Sequence, residues 1–373
     1  MSSIVMNFYM SYSNNMLNLT MKLIGFNTTQ NENAAMQYIE QYVKEQYGDV
    51  LIYEHQAIGD TDRYNLIIKN TDQPDIILAG HVDTVPELSK EQFIPKIEGN
   101  KLYGRWAVDM KAGVAINIQL IDFMIKNNIQ FRVLCYADEE YNFLWMKKFV
   151  ETYEGKIAPK LTIVTEPTNT KIFTWFRGIA AINLEIKGKS VHSARKHLGI
   201  NAIEEYVHFM DALEKFMQTK DKQWYQSLTN LAGMSWWIYK DGKIIRQDNI
   251  VPCVAKGKFS LRLGNDFTYQ EFEIFMNYYF ATQWIELIEI QKEIWYNPLI
   301  QSWLTEKYEK YGIVENGATF GYSDIQLIKE TIGGDCLLIW PWPRQLAHQA
   351  EEYVDIDSIE KAKSIIQSII KDI

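Results

Sequence analysis

Short apolar runs separated by longer stretches of helical period organise the first half of the chain. Asp75 to Ala79, Phe131 to Ala137 and Leu161 to Thr165 read as short buried strands. Asn33 to Gln46 spaces its apolar residues as an amphipathic helix does, and Ala112 to Lys126 is helical in pattern. Strands alternating with helices predict an α/β domain, a doubly wound sheet with helices on both faces, whose ligands gather beyond the carboxyl ends of the strands. From Ile179 the pattern changes to strand (Ala180 to Ile186), helix (Asn201 to Met217), strand (Met234 to Tyr239), strand (Ala255 to Leu263), helix (Tyr269 to Trp284) and strand (Glu286 to Trp295). That order, βαββαβ, predicts a compact α+β unit of its own.

Composition then narrows the functional classes. At 373 residues the chain exceeds the roughly 250–300 at which one core stops growing, so two domains are expected, and 47% hydrophobic residues suffice to bury both cores. A formal charge of −9 argues against a nucleic-acid surface, which needs clustered Lys and Arg against phosphates. Any anionic substrate therefore has to meet a local group of arginines. Cys135, Cys253 and Cys336 form no Cys-x-x-Cys pair, which gives neither a disulfide framework nor a zinc knuckle and fits a reducing cytoplasm. Met1 to Asn15 carries no Lys or Arg ahead of its apolar residues, unlike a secretory signal, and no apolar run reaches the roughly 18 residues that span a bilayer. A soluble cytoplasmic protein without membrane or nucleic-acid partners is expected.

The candidate chemistry sits at the ends of the apolar runs. Four separated stretches place histidine or carboxylate there: Leu78-Ala-Gly-His81-Val-Asp83, Gly104-Arg-Trp-Ala-Val-Asp109-Met-Lys, Ala137-Asp-Glu139-Glu140 and Val164-Thr-Glu166-Pro167. A late partner follows in Leu346-Ala-His348-Gln-Ala-Glu-Glu352. One such motif usually only caps a turn; several in order converge on a two-metal hydrolase. Imidazole and carboxylate donors without thiolates suit zinc, with cobalt or manganese as alternatives. Two such ions need one shared carboxylate and two further ligands each, and His81, Asp109, Glu140, Glu166 and His348 supply that set. Asp83, on the same side of an extended segment as His81, can accept the other imidazole N–H and fix its tautomer. Beside the ligand Glu140 stands Glu139; adjacent residues point different ways, so only one of the two is expected to face a given metal directly, and the other is free to act as the base for a metal-activated water. His348 follows the βαββαβ unit and the other ligands precede it, so that unit is an insertion. The catalytic domain then comprises residues 1–177 and 297–373, and the inserted domain residues 178–296.

In these motifs the chain resembles the dinuclear-zinc amidohydrolases and exopeptidases, the family of acetylornithine deacetylase, succinyl-diaminopimelate desuccinylase, aminoacylase and carboxypeptidase G. The resemblance implies a zinc-exopeptidase-like fold in which Asp109 bridges two ions, His81 and Glu166 complete one site, Glu140 and His348 complete the other, and Glu139 is the general acid/base. It also implies a cis Asp109-Met110 peptide bond, and a homodimer formed through the insertion, acting as a lid. His192 resembles the histidine that reaches the partner subunit's active site and polarises the scissile carbonyl. Asn249 and Arg262 resemble a segment that binds substrate oxygen and carboxylate, and Arg177 a carboxylate-binding arginine of the desuccinylase branch; either guanidinium can pair with a carboxylate in bidentate fashion. Three departures stand out: Trp106 where the family usually has Gly, Asn142 for a Gly after the Glu pair, and Trp340-Pro-Trp342-Pro343 for Gly-Pro-Gly. Bulky aromatics near the site would narrow or reshape the pocket.

The expected activity is metal-dependent hydrolysis of the amide of a small N-acylated amino acid, with exopeptidase action on a short peptide as the alternative. A catalytically silent relative would lack a ligand or Glu139, and none is missing. A nucleotide-binding domain would need a Gly-x-Gly-x-x-Gly turn or a P-loop, and neither occurs.

Overall fold

The computed structural model describes residues 16–29, 31–141, 143–221, 226–240, 243–264, 267–315, 321–339, 346–347, 349 and 351–373. His348, Asn142, Trp340 to Pro343 and Met1 to Asn15 lie outside the described residues. The chain divides into two compact units.

The first unit holds the described residues up to Thr174, those from Gln301 to Glu315, and those from Ser323 onward. Its strands begin with Ile52–Ala57 (β1), Tyr64–Lys69 (β2) and Ile76–His81 (β3), continue through the small hairpin Lys96–Glu98 (β4) and Lys101–Tyr103 (β5), and go on to Phe131–Tyr136 (β6), Leu161–Val164 (β7) and Ile172–Phe173 (β8). An eight-stranded mixed sheet runs in the order β1, β2, β6, β3, β7, Asp335–Ile339, β8, Val314–Glu315. Strands β3, β6 and β7 are buried along their whole length, as parallel strands covered on both faces must be. Their register aligns the carboxyl ends: His81 pairs with Tyr136 and Ala79 with Val164. The strand read as ending at Ala79 therefore runs on to His81, whereas Thr165 lies just past the end of β7.

Helix Ala112–Lys126, with the bounds its period predicted, rests its first turn on the loop after β7. A Cβ on Gly113 would lie 2.6 Å from Thr165 Oγ1 and 2.7 Å from the Thr165 carbonyl oxygen, so only glycine permits this approach. Asn117 Nδ2 extends the contact, donating to Ala79 O at 3.1 Å and to Thr165 Oγ1 at 3.2 Å. Gly113→Ala is expected to destabilise the protein by about 1–3 kcal/mol through overpacking against backbone. Denaturant titration checks this, and an unchanged midpoint would show the contact to be slack.

The second unit spans Trp175–Ile300 and includes Tyr322. Its five-stranded sheet has the order Lys243–Ile245, Leu228–Lys240, Val254–Leu263, Gly178–Lys187, Glu286–Tyr296. Alternate residues Ala180, Ile182, Leu184 and Ile186 share one core with Phe209 and Leu213 of helix Ala202–Gln218 and Phe272 and Phe280 of helix Tyr269–Gln283. The high aromatic content is thus largely core here. The strand expected from Met234 begins at Leu228, and Lys243–Ile245 adds a hairpin partner. Leu228 and Leu231 are exposed, so no inward alternation marks that start in the sequence. Among the described residues, no helix is long and apolar enough to cross a membrane.

Candidate metal centre

Three strand ends and one turn of the first unit bring the acids together. His81, completely buried, closes β3 with its Nε2 3.2 Å from Asp109 Oδ1 and 3.6 Å from Glu166 Oε1. Asp109 comes from the irregular turn Ala107–Lys111, and the Asp109-Met110 peptide bond is cis, as expected. One ligand atom from each of His81, Asp109 and Glu166 fits within a mutual 4.8 Å, and so does one from each of His81, Glu139 and Glu140. The imidazole Nδ1 faces Asp83, 3.3 Å from its carboxylate and 3.3 Å from its carbonyl oxygen. Asp83 Oδ2 in turn accepts from the Glu140 backbone N–H at 3.3 Å, so one side chain contacts both the ring and the acidic loop. Asp138 is engaged elsewhere: at φ 68° its Oδ2 accepts from Leu144 N at 2.9 Å, at the start of helix Leu144–Tyr153. Asp138 thus takes the helix start, and Glu139 and Glu140, though adjacent residues are expected to point different ways, each bring a carboxylate oxygen to His81.

The electrostatics of this cluster fit bound cations. Burial pushes the Glu139 carboxyl well above the usual carboxylate range, and Glu166 and Glu140 push it the same way. Burial alone would lower the His81 imidazole, but Asp109 and Asp83 outweigh it and hold it well above its ordinary value. So many carboxylates around one buried imidazole are unfavourable without compensating positive charge. Nitrogen and oxygen donors with no thiolate among them suit zinc, cobalt or manganese. Among the described residues, Cys135 belongs to neither group that could hold an ion, and burial pushes its thiol up to about 12.

Arg177, His192, Asn249 and Arg262 all belong to the second unit, in two pairs. Gly178 pairs with Leu263 and Ile179 with Arg262, which brings Arg177 and Arg262 to one end of the strand Gly178–Lys187. At its other end Lys187 pairs with Val254, His192 bridges to Ile250, and Ser193 N donates to Asn249 O at 2.8 Å. His192, exposed, therefore lies beside Asn249. The strand has ten residues. At ~3.3 Å per residue, roughly 30 Å separates the two pairs.

Two residues of the first unit escaped the sequence reading. Asp324, just ahead of helix Ile325–Thr331, is completely buried with Tyr136 beside it, and burial pushes its carboxyl well up. Tyr136 presents its ring edge-on to His81 at 6.2 Å between centroids. An acid before an apolar segment is an ordinary helix start, so the sequence gives no signal for it. Trp106 corrects an expectation: it is completely buried at φ 68°, with the Arg105 guanidinium 4.9 Å from its ring, so it packs and does not narrow an open pocket. That left-handed conformation favours glycine, which accounts for the residue usual there.

Fold and cluster together define a class: a metal-dependent hydrolase on a mixed α/β sheet. The sequence pattern of peptidase family M20/M25/M40 matches residues 77–372, well over half of the chain, and the chain belongs to that family. It is 25% identical over 342 residues to acetylornithine deacetylase of Buchnera aphidicola subsp. Schizaphis graminum, covering 84% of this chain and 85% of that protein. It is 30% identical over 267 residues to succinyl-diaminopimelate desuccinylase of Orientia tsutsugamushi strain Boryong, covering 67% of each. A dinuclear metal-binding peptidase of the M20 family from Bacillus subtilis shares the fold with a TM-score of 0.67 at 12% identity, over 97% of this chain and 98% of that one. The protein is a metal-dependent amidohydrolase.

Proposed function

We propose that the protein hydrolyses the amide bond of a small N-acyl amino acid, in the manner of acetylornithine deacetylase or succinyl-diaminopimelate desuccinylase. The observation that carries this reading is the convergence of Asp109, Glu166, Glu139 and Glu140 on the single imidazole of His81. In this reading His81, Asp109, Glu140, Glu166 and His348 would hold two zinc ions (cobalt or manganese as alternatives): Asp109 would be the shared carboxylate, His81 and Glu166 would complete one site, Glu140 and His348 the other, and Asp83 would fix the His81 tautomer. When bound, the ions lower the pKa of a water to about 7 and polarise the scissile carbonyl. Glu139 takes the proton of the attacking water and delivers it to the leaving amine nitrogen as the C–N bond breaks.

His192 and Asn249 serve the substrate carbonyl, and Arg177 and Arg262 its carboxylate. A small substrate cannot touch both ends of a strand roughly 30 Å long. If both pairs act on one substrate they come from two copies of the chain, which supports a homodimer with His192 acting in the partner's site. His192→Ala is then expected to lose about 10²–10³-fold in kcat, the usual loss for one oxyanion donor. Mixing it with Glu139→Gln restores part of the activity, because one site of the heterodimer combines Glu139 with the partner subunit's His192. Subunit exchange seen by native mass spectrometry without recovered activity contradicts the trans role.

A hydrolysis screen tests the substrate class: N-acetyl, N-succinyl and N-formyl amino acids and dipeptides, each with added zinc, cobalt or manganese. Release of the acyl group is expected; cleavage of dipeptides alone would make the protein an exopeptidase instead.

A further inference from the structure

We infer that Arg105 and Glu352 are positioning residues that clamp the Asp109 turn to two neighbouring segments, an inference that rests on the dinuclear reading above. Arg105 is 2% exposed, yet its hydrogen bonds go to backbone: Nη2 donates to Pro86 O at 2.9 Å and Nη1 to Gln349 O at 3.1 Å. Pro86 closes the segment that leaves β3 through His81 and Asp83, and Gln349 follows His348 in sequence. One planar guanidinium, four residues before Asp109, therefore ties both segments to the turn. Gln92 repeats the tie, its Nε2 donating to the same Gln349 carbonyl at 3.3 Å while its own carbonyl accepts from Arg105 N at 2.6 Å.

Glu352 holds the turn from the other side. Its Oε1 accepts from the backbone N–H of Val108, the residue before Asp109, at 2.9 Å, and its carbonyl accepts from Gly104 N at 3.1 Å. The next residue, Tyr353, pairs with Tyr103 of β5. Glu352 is also 2% exposed. Among the described residues, Glu352 belongs to neither group that could hold an ion, and a guanidinium, which has no acceptor, is no metal ligand. Burying a guanidinium and a carboxylate is costly, and apolar residues of similar volume would pack more favourably. What apolar residues cannot do is present a two-pronged donor to carbonyls of two loops, or an acceptor to the N–H beside the bridging carboxylate.

The test uses the full chain with Arg105→Met, Arg105→Lys, Glu352→Ala and Glu352→Gln, titrated with zinc against a chelator and with Co²⁺ followed by visible absorption. Arg105→Met is expected to weaken at least one ion about 10–100-fold and to change the cobalt spectrum, as loss of an outer partner of a metal site does. Arg105→Lys behaves like Arg105→Met, since one ammonium lacks the guanidinium fork. Glu352→Gln, which keeps an oxygen for the Val108 N–H, recovers what Glu352→Ala loses. A purely packing role would lower the melting temperature of the metal-free protein and leave affinity and spectrum unmoved. Folded Arg105→Met and Glu352→Ala proteins that bind both ions as wild type does overturn the inference; should Arg105→Met not fold, wild-type affinity in Arg105→Lys and Glu352→Ala does so. A wild-type chain that takes up no divalent ion overturns the dinuclear reading, and this inference with it.

Discussion

Glu139→Gln is expected to keep two ions per chain and to lose about 10²–10⁴-fold in turnover, the usual contribution of a general base. The amide matches the carboxylate in size and cannot take a proton from water. Folding is not expected to suffer. In the metal-free protein burial, with Glu166 and Glu140, raises the Glu139 carboxyl well above its usual range. A carboxyl raised on folding costs stability once the pH exceeds its unfolded value, so at neutral pH the metal-free Gln variant should be at least as stable as wild type. Steady-state kinetics, metal content and a metal-free melt check the three parts. Near-wild-type turnover in a folded, loaded Glu139→Gln protein would assign the base to another group.

Asp109→Ala is expected to lose both ions, because its carboxylate is the one shared in the proposed centre. An ion present at 100 times its dissociation constant stabilises a protein by about 2.7 kcal/mol. Zinc should therefore raise the melting temperature of wild type and leave that of Asp109→Ala unmoved. The variant also removes the carboxylate 3.2 Å from His81 Nε2, one of the groups that hold the imidazole pKa up. Two tightly retained ions in Asp109→Ala would remove this residue from the bridging position.

The parts of the site legible in the sequence are those encoded next to a buried run. His81, the Glu139-Glu140 pair and Glu166 each follow an apolar stretch, and that stretch is a strand whose carboxyl end carries them. Helix Ala112–Lys126 was legible because its period and its bounds coincide. Register was not legible: nothing local says that His81 stands opposite Tyr136, yet this pairing is what brings Glu139 and Glu140 to the same imidazole. Nor were the ties that span long separations. Arg105 reaches Gln349, and Val108 reaches Glu352, each across 244 positions, and an arginine in a turn carries no mark of such a partner. Trp106 was misleading for a related reason: the sequence shows an aromatic near the site, and only the packing shows it sealed inside.

Anomalous diffraction from crystals of the zinc-loaded protein, collected at the zinc absorption edge, tests the dinuclear centre most directly. Two peaks are expected, one on each side of the Asp109 carboxylate, the first also in contact with His81 and Glu166 and the second with Glu140. A single peak, or peaks away from Asp109, would contradict the centre proposed for this chain.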